Sequence, residues 1–390
     1  MPNIKLMEQA LPVAPLKIAA LDSCSEMGKR VNDYIVQFRQ DTLKESLDSP
    51  LYASYQSDNY LINCSCPRFG SGEAKGRIGE SIRGKDLFVL VDVCNHSLTY
   101  TVNGYTNHMS PDDHFQDLKR IIAAANGKAH RVNVIMPFLY ESRQHKRSKR
   151  ESLDCALALQ ELVDMGVKNI ITFDAHDPRV QNSIPLHGFD NFTPAYQFIK
   201  ALFRVEPDFQ IDKEHLMIIS PDEGAMSRAV YLSNILGVDM GMFYKRRDYS
   251  KVVNGKNPIV AHEFLGSDIT GKTVIIVDDM IASGESMLDV AKQMKERGAS
   301  KVIVCTTFGL FTEGFDKFDD YYNKGYISRV ITTNLTYLPE EAMEKPYFVV
   351  ADMAKFIALI IDAFNHDITL SSVLNPTDKI HKLLEKHNQR

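Results

Sequence analysis

Two adjacent carboxylates, Asp278 and Asp279, end an apolar run in the segment TVIIVDDMIASGESMLDVAKQM (273–294) and are followed by the small residues of 282–286. This order predicts a buried strand, a short loop and a helix. In open parallel sheets, ligands bind beyond the carboxyl ends of the strands. Small residues let backbone N–H groups approach an anion, and the N-terminus of the following helix adds a favourable dipole. The loop is therefore predicted to bind a phosphate, although it lacks the Gly-Lys-Ser/Thr of a Walker loop.

The side chains of this loop indicate that the phosphate belongs to a sugar. Ser283 and Ser286 offer hydroxyl donors to the phosphate. The paired carboxylates would repel the phosphate unless they meet donors of their own, and ribose hydroxyls and hydrated magnesium are the obvious ones. The alternative is a plain strand–helix connection in which a serine caps the helix. The double aspartate favours the binding site over that alternative.

A second candidate is His176, which lies just past an apolar run in ITFDAHD (171–177). A lone histidine is more often structural than functional. Its place between Asp174 and Asp177, at the carboxyl end of a predicted strand, favours a functional role. Magnesium prefers oxygen ligands, so a histidine ligand would require a mixed site with carboxylates such as Asp190 and with ATP oxygens.

Two basic runs also follow predicted strands, YESRQHKRSKRE (140–151) and YKRRDY (244–249). The cations of the first are Arg143, Lys146, Arg147, Lys149 and Arg150. Such runs are usually solvated faces or nucleic-acid patches. The first emerges beside the end of a buried strand, so a mobile lid for a polyphosphate is an equal alternative. The glycine-rich stretch 69–86 on its own indicates no more than a hairpin.

The elements that position these residues are short β-branched runs alternating with amphipathic stretches. The predicted strands are 87–93, 132–138, 169–175, 216–222, 273–279, 301–307 and 329–334. They are continuous apolar runs, as expected of parallel strands buried on both faces, so the predicted fold class is α/β with mostly parallel sheets. Two of the predicted helices end at Gly166 and Gly298, the residue type typical of the position after a helix. The polar, tyrosine-rich stretch 37–60 is interpreted as an insertion or an exposed helix and loop.

Composition narrows the class of protein. A chain of 390 residues is too long for one ordinary core, so two domains are predicted, divided near Thr193–Pro194. The net charge of -5 gives no reason to expect nucleic-acid binding. Six scattered cysteines indicate a reducing compartment. Neither a signal peptide nor a long apolar span is evident, so we expect a cytoplasmic protein without membrane partners.

Together these segments resemble ribose-phosphate pyrophosphokinase, also called phosphoribosyl pyrophosphate synthetase. The similarity runs in order from IAALDSCSEMGKRVNDYI (18–35) to HDITLSSVL (366–374). FGSGEAKGRIGESIRGKDLFVL resembles the family's F-S-D-G-E…G-E-S-V-R-G-K-D segment, and VIIVDDMIASGES resembles its D-D-x-x-D-T-x-G-T loop. ITFDAHD resembles T-M-D-L-H, GFDNFTPA resembles V-D-N-L, and MFYKRRDY resembles I-D-K-R-R.

The resemblance implies a set of site residues. The ATP contacts would be Ser71, Gly72, Glu73, Arg143 and Gln144. The magnesium ligands would be His176 and Asp190, and the catalytic residue would be Lys245. The ribose 5-phosphate contacts would be Arg247, Asp278, Asp279, Ala282, Ser283, Gly284, Glu285 and Ser286. An alignment without gaps shifts the lid by one residue and places Ser142 at an ATP contact instead.

The resemblance also implies an architecture and a reaction. It implies two phosphoribosyltransferase-like domains, 1–193 on the ATP side and 194–345 with the ribose 5-phosphate loop, with 346–390 packing back on the first. The implied reaction is the magnesium-dependent transfer of the diphosphoryl group of ATP to ribose 5-phosphate, for nucleotide biosynthesis. The implied assembly is a homo-oligomer of dimers, up to a hexamer.

Some residues depart from the family pattern and leave rival functions open. Ser71 and Ala282 each stand where the family has aspartate, and Glu285 stands where it has glycine. A carboxylate in a phosphate loop is unfavourable, so Glu285 is expected on the solvent side of the first helical turn. The rivals are a non-catalytic regulatory subunit and a phosphoribosyltransferase. Retained His176, Asp190 and Lys245 oppose the first, and the ATP-side segments have no role in the second.

Overall fold

The computed structural model describes residues 10–45, 50–247, 259–370 and 376–388, with the backbone alone at 45, 50–52, 245–247, 259–262 and 388. The chain divides into two compact units. Unit 1 comprises Met1–Thr193, Leu335–Tyr337 and Met353–Asn375. Unit 2 comprises Pro194–Asn334, Leu338–Asp352 and Pro376–Arg390. Across the described ranges, every helix is too short or too polar to cross a membrane.

The strands are β1 (Leu16–Ala20), β2 (Cys64–Ser65), β3 (Arg77–Ile78), β4 (Asp86–Leu90), β5 (Thr99–Val102), β6 (Tyr105–His108), β7 (Arg131–Ile135), β8 (Val167–Phe173), β9 (Gly188–Phe192), β10 (Leu216–Ser220), β11 (Asp239–Arg247), β12 (Ile259–Leu265), β13 (Thr273–Ile281), β14 (Lys301–Gly309), β15 (Arg329–Thr333) and β16 (Phe348–Ala351). The α-helices are α1 (Ser25–Glu45), α2 (Pro111–Ala125), α3 (Asp154–Asp164), α4 (Ala195–Val205), α5 (Met226–Leu236), α6 (Glu285–Glu296), α7 (Asp316–Asn323), α8 (Glu340–Glu344), α9 (Ala354–Asn365) and α10 (Thr377–Asn388). Short 3-10 turns lie at Asp22–Cys24, Pro50–Gln56 and Pro178–Ser183.

Unit 1 is built on a five-stranded sheet in the order β1-β4-β7-β8-β9, and all of its neighbouring strands are parallel. Strand β4 is buried along its whole length, which is why its sequence is a continuous apolar run rather than an alternating one. Helix α2 begins at a capping box, in which Ser110 and Asp113 each accept a hydrogen bond from the other's backbone N–H. The parallel order brings the carboxyl ends of these strands to one edge of the sheet.

The β5–β6 hairpin of unit 1 was missed from the sequence. It follows the end of β4, and its strands pair antiparallel with Val102 opposite Tyr105. Its two turn residues, Asn103 and Gly104, both have positive φ, 49° and 82°. That is the geometry of the two-residue turns that Asn-Gly favours, so the dipeptide in VNGY was an available signal.

The described part of the stretch 37–60 combines exposed side chains, as the sequence indicated, with buried ones. Helix α1 continues into it, and Arg39 is 1% exposed. The Arg39 guanidinium lies 4.8 Å from the ring centre of Tyr55 and 4.6 Å from that of Tyr60, and both rings are buried. Its Nη2 donates to Asp362 at 3.1 Å. Cation–π contacts and an ion pair therefore anchor this stretch inside unit 1.

Unit 2 is built on a seven-stranded sheet in the order β12-β11-β10-β13-β14-β15-β16. Among the described strands of this sheet, the β11–β12 pair is antiparallel and the other neighbours are parallel. Alternate residues of β13 belong to two different hydrophobic cores. Val274 and Ile276 pack with residues of α6, whereas Ile275 and Val277 pack with residues of α4, α5 and α10. Both faces are therefore covered, as an apolar parallel strand requires.

The two units agree with the predicted fold class, and each of the seven predicted strands is present. Gly166 and Gly298 follow helices α3 and α6 with φ of 89° and 93°, as predicted. These left-handed conformations are easy for glycine and strained for other residues, which explains the choice of residue at both helix ends.

The C-terminal part of the chain differs from the predicted domain boundaries. The sequence placed 346–390 on the first domain. Met353–Asn375 does lie in unit 1, whereas Pro376–Arg390 and the strand β16 belong to unit 2. Helix α10 packs on α4 and α5 through the fully buried Ile380. Leu335–Tyr337, expected within the second domain, belong to unit 1. An amphipathic helix shows in the sequence that it has a buried face, but not which partner covers it.

Candidate active site

The proposed phosphate loop of unit 2, residues 282–286, packs against the segment that follows β14 and against α7. Residues 282–284 connect β13 to α6, and the carbonyl of Ala282 accepts a 3.0 Å hydrogen bond from Thr312 N–H. Gly284 has a φ of 83°, and a Cβ at this position would overlap the ring of Phe318. Only glycine satisfies both the positive φ and this close packing. The loop therefore has a defined backbone that presents the N-terminus of α6 to a ligand.

The two aspartates lie at the carboxyl end of β13, directly before this loop. Asp279 is 3% exposed, and its carboxylate lies 3.7 Å from Nη2 of Arg228. Its backbone N–H donates to Oδ1 of Asp278 at 2.8 Å. Burial, reinforced by the charge of Asp279, raises the pKa of Asp278 well above its ordinary value. Hydrogen-bond donors from a ligand would favour the charged form and reverse that shift.

A third carboxylate at this edge, Asp222, was missed from the sequence. It follows β10, and its Oδ1 accepts hydrogen bonds from the backbone N–H groups of Gly224 at 3.0 Å and Ala225 at 3.3 Å. Its negative charge also contributes to the raised pKa of Asp278. The signal was present, because the apolar run LMIIS ends in Pro-Asp-Glu-Gly, a turn at the carboxyl end of a parallel strand.

Glu285 lies on the solvent side of the first turn of α6, as predicted. Its side chain is 66% exposed and its Oε1 is 2.7 Å from Nζ of Lys317. This lysine holds the pKa of Glu285 below its ordinary value. Ser283 is partly buried, and its Oγ accepts a long, 3.5 Å hydrogen bond from Glu285 N–H, whereas Ser286 is exposed.

The side chains of Lys245 and Arg247 lie outside the described residues. Their backbone belongs to β11, where Lys245 pairs with His262 and Arg247 with Ile259. The antiparallel register shifts between Arg246 and Arg247. The roles of Lys245 and Arg247 therefore remain predictions from the sequence.

The proposed metal ligands of unit 1 come from adjacent parallel strands. His176 follows β8 after a turn at Asp174, whose φ of 42° is left-handed. Asp190 lies in β9 opposite Ile171. Burial raises the pKa of Asp190, and within the described ranges its carboxylate has no ion pair. Among the residues described, no group of three or more His, Cys, Asp or Glu side chains could hold a metal ion. His176 and Asp190 would therefore require ligand oxygens to complete a metal site.

The basic run 140–151, the proposed lid, packs near the strand end that carries His176. His145 lies 3.5 Å from the carboxylate of Asp177, and its ring centre is 5.4 Å from that of His176. The sequence gave no reason to select His145, because its partner lies more than thirty positions further along the chain.

Within the lid, the proposed ATP contacts Arg143 and Gln144 have different surroundings. The amide of Gln144 donates to the carbonyl of Ser152 at 2.8 Å, so it is engaged within its own loop. Arg143 is exposed, and its positive charge opposes the rise in the pKa of the Cys94 thiol that burial causes. Ser142, the residue selected by the alignment without gaps, is 3% exposed. Of Arg143 and Ser142, which the two alignments select, Arg143 is the one that faces solvent.

The proposed ATP-binding turn packs against the β5–β6 hairpin. Ser71 Oγ donates to Glu73 at 2.9 Å, and Phe69 N–H donates to the carbonyl of Glu73 at 2.7 Å. Gly72 has a φ of 91°, and a Cβ there would lie 2.9 Å from Cγ2 of Val102. Ser71 and Glu73 are exposed. The β5–β6 hairpin therefore packs against the turn, and the polar side chains of the turn face solvent.

Two family models match successive parts of the chain. A family model described as the N-terminal domain of ribose phosphate pyrophosphokinase matches residues 16–166, and a model of the phosphoribosyl transferase domain matches residues 199–335. Ribose-phosphate pyrophosphokinase from Thermosipho africanus is 30% identical over 257 residues, which are 65% of this chain and 73% of that protein. The chain belongs to the ribose-phosphate pyrophosphokinase family.

Other relatives extend over more of the chain. Ribose-phosphate pyrophosphokinase A from Dictyostelium discoideum is 25% identical over 314 residues, 80% of this chain and 89% of that protein. The crystal structure of phosphoribosylpyrophosphate synthetase from Mycobacterium smegmatis matches with a TM-score of 0.70 at 23% identity, covering 90% of this chain and 99% of that one. The predicted family and fold class, two phosphoribosyltransferase-like domains, are confirmed.

Proposed function

We propose that the chain is a ribose-phosphate pyrophosphokinase that transfers the diphosphoryl group of ATP to ribose 5-phosphate for nucleotide biosynthesis. The anomeric oxygen attacks the β-phosphorus and loses its proton. The bond from the β-phosphorus to the α–β bridging oxygen breaks, and AMP leaves with the electron pair. The observation that carries the proposal is the sugar-phosphate loop that follows Asp278 and Asp279, in a chain whose other unit matches the family's N-terminal domain.

In unit 2, the loop would fix the sugar. The backbone N–H groups of 283–286 and the α6 N-terminus would hold the 5-phosphate, with the hydroxyls of Ser283 and Ser286 as further donors. Partly buried Asp278 would accept from ribose hydroxyls, and these donors would favour its charged form against the raised pKa that burial and the charge of Asp279 cause. Fixing the sugar at both ends orients its anomeric oxygen, and diphosphoryl transfer depends mainly on such positioning.

In unit 1, exposed polar groups would bind ATP. Ser71, Gly72 and Glu73 form a turn whose side chains face solvent, and Arg143 and Gln144 lie in the basic lid. The exposure of Arg143 and the burial of Ser142 support the alignment that gives the arginine this role. Arg143 would neutralise charge on the phosphates, whereas Gln144 would first have to release its hydrogen bond to Ser152.

Magnesium is the proposed cofactor, with His176 and Asp190 as its protein ligands. The residues fit this ion, because the partly buried Asp190 carboxylate has no ion pair in the described part of unit 1 and burial raises its pKa. A nearby cation would favour its charged form. Bound magnesium would neutralise charge on the ATP oxygens. His176→Ala should therefore raise the magnesium concentration needed for half-maximal activity without changing the thermal unfolding midpoint.

Lys245 is the proposed catalytic residue, because a cation is needed where charge develops on the transferring group. Lys245→Ala should lower kcat by about 100-fold, the scale seen when a charge-stabilising donor is removed. Arg247 is the proposed contact of the sugar phosphate, so its substitution should act on KM for ribose 5-phosphate. A Lys245 variant that loses affinity alone would assign the lysine to binding instead.

The protein is proposed to act in the cytoplasm as a dimer-based homo-oligomer, up to a hexamer. The support for this assembly is the resemblance to the family. Light scattering of the purified chain, with and without ATP, measures it directly. A monomer at micromolar concentration that still forms AMP would contradict the proposed assembly and leave the proposed activity intact.

The deciding experiment is AMP formation by the isolated chain from ATP, ribose 5-phosphate and magnesium. We expect AMP and phosphoribosyl pyrophosphate in equal amounts. Asp278→Asn is the matched negative control, because it removes one carboxylate from the sugar site and retains its volume. A folded chain that binds ribose 5-phosphate but forms no AMP alone would favour the non-catalytic regulatory subunit. Release of pyrophosphate from phosphoribosyl pyrophosphate and a free base would favour a phosphoribosyltransferase.

A further inference from the structure

Helix α7 lies directly against the phosphate loop of unit 2. Phe318 is fully buried in the core that contains α6, and its ring occupies the space where a side chain at position 284 would lie. The residue before it, Lys317, points to the neighbouring position of the loop, Glu285. One turn of α7 therefore contacts two consecutive loop positions, one through an apolar ring and one through a charge.

Lys317 is shared by two carboxylates. Its Nζ lies 2.7 Å from Oε1 of Glu285 and 2.7 Å from Oε2 of Glu313. Both contacts raise the pKa of Lys317, so the lysine stays charged throughout the neutral range. All three side chains are about half exposed or more. Exposed ion pairs of this kind contribute little to folding stability.

The position of Glu285 gives the arrangement a consequence for ligand binding. Glu285 is the first residue of α6, and the N–H groups of a first helical turn lack partners within the helix. A carboxylate near these groups is favoured by the helix dipole, as a phosphate is. An unrestrained Glu285 would therefore compete, as a tethered anion, for the donors that the loop offers to the sugar phosphate.

We propose that Lys317 is a positioning residue for the sugar phosphate, which holds the Glu285 carboxylate away from the N-terminus of α6 and so keeps that anion site open. The proposal rests on the proposed function of the loop. It explains how this chain retains a phosphate site with a glutamate in the loop. Lys317 acts through Glu285 and does not itself contact the substrate.

The test is a double-mutant cycle with Lys317→Gln, Glu285→Gln and the two together. Ribose 5-phosphate affinity is measured by calorimetry, and KM and kcat by AMP formation. Lys317→Gln should raise KM and Kd for ribose 5-phosphate about fivefold, the scale of a charge at an exposed helix terminus, and leave kcat and KM for ATP unchanged. Adding Glu285→Gln should abolish this effect, because no carboxylate is left to restrain.

Lys324→Gln is the matched control, because Lys324, at the C-terminal end of α7, pairs with Asp320 at 2.7 Å. It should change neither constant. The same increase from Lys317→Gln with and without Glu285 would overturn the proposal, since the lysine would then act on the phosphate itself. No increase in either background would also overturn it. A parent chain that neither binds ribose 5-phosphate nor forms AMP would instead overturn the proposed function on which it rests.

Discussion

The proposed sugar-phosphate loop of unit 2 and the proposed nucleotide segments of unit 1 are built in different ways. In unit 2, β13 and α6 are joined by three residues whose backbone is fixed by the packing of Gly284 on Phe318. In unit 1, the proposed ATP contacts are mostly exposed side chains on a turn and a long loop, and Gln144 is hydrogen-bonded within its own loop. The proposed sugar site is therefore preorganised, whereas the proposed nucleotide site would have to rearrange when ATP binds.

The strand-end carboxylates of the two units also differ. Asp92, just after β4 in unit 1, is 3% exposed and accepts hydrogen bonds from the backbone N–H groups of Cys94 at 2.9 Å and Tyr337 at 2.7 Å. Those donors come from the protein itself, so Asp92 has a structural role. Asp278 in unit 2 accepts from the N–H of its neighbour Asp279, and its remaining acceptor capacity suits a ligand.

The largest effect expected from this comparison is that of Gly284→Ala. A left-handed φ costs a non-glycine residue about 1–2 kcal/mol, and the overlap with Phe318 adds to it, so the loop should lose its geometry. We expect KM for ribose 5-phosphate to rise about 100-fold, with a smaller change in KM for ATP. Steady-state kinetics with each substrate varied in turn measures both.

The control for this substitution is Gly271→Ala. Gly271 also has a positive φ, 77°, but nothing lies within 4 Å of a Cβ placed there, and it precedes the other end of β13. It should share the backbone strain without the overlap and without a change in ribose 5-phosphate affinity. Equal effects of the two substitutions would mean that general destabilisation, and not a preorganised loop, explains the Gly284 result.

A second prediction concerns pH and Asp92. Burial raises the pKa of Asp92 to about 7, above its value in the unfolded chain. A raised carboxyl pKa stabilises the folded state fully at low pH, and this contribution is lost as the pH rises toward the folded pKa. The contribution should fall by about 1.4 kcal/mol per pH unit between about pH 4.5 and 7, and level off above pH 7.

The measurement is the unfolding free energy of the parent chain minus that of Asp92→Asn, followed across this pH range. Subtraction removes the other titrating groups and any constant cost of losing one acceptor. A difference that is flat between pH 4.5 and 7 would show that Asp92 keeps an ordinary pKa. Its two backbone donors would then outweigh its burial.

The sequence predicted the sheets better than the contacts that complete the site. Continuous apolar runs identified the central strands, because parallel strands buried on both faces have a distinctive composition. The dipeptide Asn103-Gly104 indicates a hairpin, and Pro221-Asp222 indicates a turn after a strand. The pairing of Lys317 with Glu285 was not readable, because the two residues are thirty-two positions apart and ordinary surface charges carry no mark of their partner.

The membership of the C-terminal segment could not be predicted for a related reason. Thr377–Asn388 has the periodicity of an amphipathic helix, and its apolar face predicts burial. Several apolar surfaces of the chain could have covered that face. The choice of α4 and α5 follows from tertiary packing around Ile380, and from the stacking of His387 on Phe203 at 3.7 Å.

The smallest effect is expected in the lid, where exposure limits what one charge contributes. Arg143 is exposed, so a contact with an ATP phosphate would be screened by solvent, and exposed ion pairs contribute at most about 1 kcal/mol. Arg143→Ala should therefore raise KM for ATP about fivefold and leave KM for ribose 5-phosphate unchanged.

Lys149→Ala is the matched control, since it removes an exposed cation of the same lid. It should have a clearly smaller effect if the lid binds ATP through one positioned arginine. Equal increases for both, which disappear at high salt, would mean that the lid acts through its total charge. A 100-fold loss for Arg143→Ala alone would contradict the comparison itself, because the nucleotide site would then be as preorganised as the sugar site.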